Sequence, residues 1–170
     1  MIKRKSVFLS VAALATTFAG AALATPGSGI LSATILARAG FQSPVDIKIK
    51  TIHGQQEVLH VPDAQDVVMQ RIVLAPGGQT GWHSHPGPAI ALVTAGALTL
   101  YSGEDSMCIG RTYSASQTGN EAFVDSGQGH VHMARNESTT ENAEVWVTYL
   151  DVPPGSSVRT DQPNPGNCPF

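Results

Sequence analysis

The sequence predicts an all-β fold, a sandwich or barrel, from three observations. Apolar and β-branched residues come in short runs or alternate, as in Val45-Asp46-Ile47-Lys48-Ile49-Lys50 and Val145-Trp146-Val147-Thr148-Tyr149-Leu150. Turn-forming stretches separate these runs at close spacing, drawn from 17 glycines and 11 prolines. Beyond residue 24 no long helical pattern appears, so about nine short strands are expected. No internal repeat of fixed period is visible.

Each element has its own reason. Residues 30–38 are mostly apolar and fit either a strand or a short helix. Residues 45–50 alternate cleanly, which marks a half-buried strand. His53 and His60 flank the polar turn Gly54-Gln55-Gln56-Glu57 and are expected in solvent. Residues 66–74 read as a strand ended by Pro76-Gly77-Gly78. Strands over 89–94 and 97–101 follow, divided at Ala95-Gly96, and Gly103-Glu104-Asp105-Ser106 reads as a loop. Short strands are expected over 111–114, 121–124 and 130–136, and residues 144–152 close the set. After Pro153-Pro154-Gly155 the tail is proline-rich, has little to bury, and is expected to lie extended on the surface.

The chain opens with Lys3-Arg4-Lys5, an apolar run over 7–23, and Ala22-Leu23-Ala24. That is the pattern of a secretory signal peptide cut after Ala24. An uncleaved anchor is the alternative, since the run is nearly long enough to span a bilayer, but its Ala, Ser, Thr and Gly content makes it weakly hydrophobic. The expected organisation is a leader over 1–24, one barrel domain over 25–152 and a tail over 153–170. The location is then periplasmic or secreted, with any metal acquired there. Without Lys3, Arg4 and Lys5, seven of the ten basic residues remain against thirteen acidic ones, a net charge of −6. No basic patch appears, which argues against nucleic acid as a partner. No later apolar run is long enough for stable membrane insertion after cleavage.

Cys108 and Cys168 are the only cysteines. In an oxidising compartment an even pair reads as a disulfide, stabilising by about 4 kcal/mol on loop entropy. Two free thiols or an intermolecular bridge are the alternatives. A catalytic cysteine is not expected, because neither residue lies near the histidine stretches in sequence.

The chemistry concentrates in those stretches. In Gly81-Trp82-His83-Ser84-His85-Pro86-Gly87-Pro88 two histidines stand one residue apart, and an extended strand points both to one face. The neighbouring Pro-Gly-Pro argues against a helix there. Gly127-Gln128-Gly129-His130-Val131-His132-Met133-Ala134-Arg135-Asn136 repeats the arrangement. Four of six histidines thus form two His-x-His pairs on expected strands, and convergent imidazoles make a competent site for zinc, iron, copper or nickel. Arg71 suits either an anionic ligand or a surface ion pair. Trp82, Tyr101, Met133, Trp146 and Tyr149 are candidates for cavity lining or ordinary core. Asn136-Glu137-Ser138 is a glycosylation sequon, but Asn136 is better suited to fixing a turn or the adjacent strand.

These two stretches resemble the paired motifs of the cupin family. Gly77 or Gly78, His83, His85 and Gly96 fit the first motif, while Ala89 and Ile90 stand where it carries a glutamate. His132 and Asn136 fit the end of the second, whose earlier proline and glycine are loosely mirrored by Asp125-Ser126-Gly127-Gln128-Gly129. The resemblance spans roughly residues 66–152. It implies a single jelly-roll barrel holding one divalent first-row metal (Fe, Mn, Zn, Ni or Cu) on His83, His85 and His132. His130 is expected either as a fourth ligand replacing the glutamate or at the barrel mouth as a base or hydrogen-bond donor; a rim position without a role is the third option.

An all-histidine site lacks the usual negative charge and keeps a position open. The expected function is an exported metal-binding barrel that oxidises, as a dioxygenase would, or isomerises a small molecule. A non-catalytic barrel for a small ligand or metal is the alternative, and a purely structural metal is the third reading. A homodimer is compatible with any of them.

Overall fold

The computed structural model describes residues 23–51 and 57–170. The leader up to residue 22 and the turn containing His53 lie outside the described residues. The strands are β1 (Ser28–Ala39), β2 (Ile47–Thr51), β3 (Glu57–Val61), β4 (Asp66–Gln79), β5 (His83–Ser84) and β6 (Ala89–Ala95). There follow β7 (Ala97–Ser102), β8 (Arg111–Ser114), β9 (Ala122–Asp125), β10 (His132–Arg135), β11 (Ala143–Val152) and β12 (Thr160–Asp161). Among the described residues there is no helix, as the sequence predicts.

Two runs of strands make the walls of a nearly closed antiparallel barrel. One is β1-β4-β11-β6-β9, the other β12-β5-β10-β7-β8, and they join where Gln79 at the end of β4 pairs with Arg135 of β10. The hairpin β2–β3 stands apart from this sheet. Alternation decides which side chains face inward. Along β6, Ala89, Ala91 and Val93 are buried while Ile90 and Leu92 are exposed; along β11, Val145, Val147 and Tyr149 are buried while Trp146 is exposed. Val68, Leu74 and Leu98 complete this apolar interior from β4 and β7.

Three elements are decided or changed by the structure. Residues 30–38, open between helix and strand, are strand: β1 runs antiparallel along β4 with Thr34 opposite Arg71. Next, β4 is not ended by Pro76-Gly77-Gly78 but continues to Gln79. Gly77, at φ 69°, supplies a left-handed step there, and the pairing with β1 shifts register, so the glycines bend the strand toward the second wall. Last, the tail is not simply laid on the surface. β12 pairs with β5, and Val158 and Cys168 are buried, while the Cys108–Cys168 disulfide forms as expected and ties the tail to the loop after β7. Composition underestimated the tail because a few well-placed apolar contacts and one covalent bond suffice to seat it.

Asn136 performs the structural role expected of it. Its Nδ2 donates to the carbonyls of Leu74, Ala75 and Glu141 at 3.2, 3.0 and 2.7 Å, and its Oδ1 accepts from the Ser138 amide at 3.1 Å. It ties β10 to the bend of β4 and is only 1% exposed, which leaves no acceptor for a glycan.

Candidate metal centre

The site forms because short strands bring the two histidine stretches face to face. His83 of β5 lies directly opposite His132 of β10 in the antiparallel pairing. Just beyond β5, the His85 carbonyl accepts from the Gly129 amide at 3.1 Å, which joins the two stretches a second time. Gly127 makes the approach possible: it sits at φ 59°, and a Cβ there would lie 1.7 Å from the Gly87 carbonyl oxygen. The three rings have centroids 4.4 to 5.0 Å apart, and one donor nitrogen from each lies within 4.8 Å of the others.

Hydrogen bonds fix which nitrogen faces the centre. His83 Nδ1 donates to the Gly81 carbonyl at 2.8 Å, and His85 Nδ1 donates to the Val158 carbonyl at 2.7 Å. That leaves each Nε2 as the unprotonated nitrogen, the form in which imidazole binds a metal, held by a carbonyl partner behind it. Burial holds all three imidazoles neutral: His83 is pushed well below its ordinary value, and His85 and His132 are lowered to about 4. The donor set therefore fits a divalent first-row metal.

His130 stands outside the three-histidine group but forms a second group with Asp125 and His132, whose ligand atoms also lie within 4.8 Å of one another. The expected strand begins only at His132, and His130 lies in the preceding turn, its amide donating to Gly127 at 2.9 Å. Period-two alternation therefore does not govern its direction. Its ring stacks 6.3 Å from that of His132, and its Nε2 lies 3.3 Å from Ser102 Oγ and 3.6 Å from Glu104 Oε2. It lines an outer groove with Tyr101, Ser102 and Arg111, to which His132 and Asp125 also contribute.

Asp125 is the site residue that the sequence reading missed. Its Oδ2 is buried without a hydrogen-bond partner, 3.5 Å from His85 Nε2 and 3.6 Å from His132 Nε2. Burial raises its pKa, partly opposed by His85. A signal was present: β9 alternates, and Asp125 shares the inward face of Phe123, two residues before it.

The cavity beside these groups is lined by Ile72, Leu74, Ala91, Leu98, Val145 and Val147 among others, with Thr80 and Tyr149 as polar neighbours. It offers about 40 Å³ to the centres of waters, space for about three of them. Of the aromatic and sulfur residues expected as candidates, only Tyr149 lines it, its ring 4.8 Å from that of His85 and its hydroxyl donating to Gln70 Oε1 at 3.0 Å. Trp82 and Met133 pack instead with Cys168, and Trp146 is exposed. Arg71 is ion-paired with Glu144 on the outside.

No family model and no curated protein matches the chain. Among solved structures, an oxalate oxidase in complex with the substrate analogue glycolate shares 28% identity, covering 54% of this chain and 45% of that one, with a TM-score of 0.43. A cupin domain from Bordetella pertussis Tohama I shares 21% identity over 66% of this chain and 100% of that one, with a TM-score of 0.40. A sugar phosphate isomerase of the cupin superfamily from Silicibacter pomeroyi shares 19% over 52% of each chain, with a TM-score of 0.40. The chain spans less than half the length of the oxalate oxidase. The antiparallel barrel brings His83, His85 and His132 together and holds Asn136 at the bend of β4, the arrangement that the resemblance of the two histidine stretches to the cupin motifs implies.

Proposed function

We propose that this chain is an exported cupin barrel that holds one divalent first-row metal on His83, His85 and His132 and acts on a small molecule in the adjoining cavity. The observation that carries this reading is the aim of the imidazoles, buried and neutral, with two backed by carbonyls at Nδ1. A metal bound there supplies Lewis-acid or redox chemistry at a position the protein leaves open. The chain's own residues do the rest. The Gly81 and Val158 carbonyls orient two of the rings, and mainly aliphatic walls surround the open position. No lysine or arginine side chain lines the cavity, so a substrate finds its polar anchors in the metal, Asp125 and Thr80.

This favours a compact molecule, and the cupin resemblance implies a reaction of the oxidising or isomerising class. The small cavity also supports a second reading, a barrel that binds a small ligand without turning it over. The export part rests on the leader pattern and the Cys108–Cys168 disulfide. Cell fractionation that finds all of the protein in the cytoplasm overturns that part.

Metal analysis of protein from its native compartment tests the core of the proposal. One metal per chain is expected, with His83→Ala reducing retention at least a hundredfold. Substoichiometric metal that His83→Ala leaves unchanged overturns it. With metal bound, oxygen consumption or product formation with candidate substrates separates the enzyme from the ligand-binding barrel.

A further inference from the structure

Resting on the metal reading above, we propose that Asp125 is a fourth metal ligand, supplying from β9 the carboxylate that Ala89 does not supply from β6. Ala89 occupies the position where the first motif carries its glutamate, and its methyl group reaches only the cavity wall. In the β6–β9 pairing Ala89 lies directly opposite Asp125. Directly opposed residues of an antiparallel pair project to the same face. The carboxylate therefore enters the same patch of the barrel from the neighbouring strand.

The geometry around Oδ2 points to a cation. It lies 3.5 Å from His85 Nε2 and 3.6 Å from His132 Nε2, nearly equidistant from the two. A charge-assisted hydrogen bond to either would bring the atoms to about 2.8 Å. Donors sharing one first-row ion at about 2.1 Å stand instead roughly 3 to 3.5 Å apart. Because His85 Nδ1 donates to the Val158 carbonyl, its Nε2 turns a lone pair toward the carboxylate. Two acceptors thus face one another in the buried interior, where no described residue donates to Oδ2. A metal between them resolves this conflict, and a buried unpaired carboxylate without one is costly. The other oxygen, Oδ1, accepts from the Gly127 amide at 3.3 Å, which leaves Oδ2 aimed inward.

Co²⁺ titration of the full protein tests this without any substrate. Wild type is expected to bind one Co²⁺, and Asp125→Asn to weaken binding at least tenfold and change the visible Co²⁺ spectrum, as loss of an oxygen ligand requires. As a measurement needing no variant, Zn²⁺ added to wild type carrying ¹³C-labelled aspartate is expected to shift one side-chain carboxyl resonance in step with a 1:1 complex. Asp125→Asn with unchanged affinity and spectrum, or carboxyl resonances unmoved by bound Zn²⁺, overturns the ligand role and leaves the three-histidine reading standing. A wild type that takes up no metal overturns both.

Discussion

Acidification of the metal-free protein from pH 7 to pH 4 is expected to lower its thermal midpoint steeply, with most of the loss falling between pH 6.5 and 4. The cause is the buried histidine cluster. His85 and His132 take a proton near 6.5 in the unfolded chain but only near 4 in the folded one, and His83 is displaced in the same direction. The unfolded state therefore binds more protons throughout that window, and stability falls as pH drops. It is full above the unfolded value and lost by the folded one. His85 and His132 each contribute on the order of 3 kcal/mol at the acid end, and His83 adds in the same direction. Asp125 works the other way, because a raised folded pKa lets the native state accept a proton more readily, which returns part of the loss. The net is several kcal/mol, a large share of the stability of a domain this size. Melting curves in chelator at pH 7, 6, 5 and 4 check this, and a midpoint that stays level across the series contradicts it. Added metal raises the midpoint at neutral pH and makes the acid decline steeper, since protons then compete with the ion for the same nitrogens.

Removing the Cys108–Cys168 bond, by reductant or by the double Cys→Ser variant, is expected to cost about 4 kcal/mol. The two residues are 60 apart in sequence, and opening that loop returns its closure entropy to the unfolded chain. For a domain of this size the loss corresponds to a fall in Tm of about 10 °C. The site should feel it too. The tail holds Val158, whose carbonyl accepts from His85, and β12, which pairs with β5 at His83 and Ser84. Arg159 also donates to the Thr80 carbonyl at 2.9 Å, and Asn167 Nδ2 to the carbonyls of Ser102 and Asp105 at 2.8 and 2.6 Å. Metal affinity should therefore drop with stability in the double variant. Equal melting curves with and without reductant would show that these hydrogen bonds alone hold the tail.

Much of the barrel was legible in the sequence because its strands obey a short-range rule. In β2, β6 and β11 the alternation of side chains reports directly on which face is buried. The histidine pairs were legible for the same reason, although alternation failed at His130, where the turn closed by Gly127 displaces the residue from the strand. Asp125 was hidden because its significance depends on strand pairing. Nothing local to residues 121–125 says that β9 will lie beside β6 with Asp125 against Ala89. The continuation of β4 was hidden by its glycines, which end most strands but here bend one between two walls. The disulfide that anchors the tail was legible from the cysteine count, whereas the pairing of β12 with β5 depends on residues more than seventy positions away.

The seating of the tail also sets an order of assembly. During synthesis, the strands bearing His83 and His132 emerge well before residues 158–161. Until that segment arrives, His85 lacks its carbonyl partner and β5 lacks one of its two neighbours. Such long-range closures are slow relative to local hairpins. A chain lacking residues 158–161 would therefore display its histidines without the Val158 carbonyl and the β12 pairing that aim them.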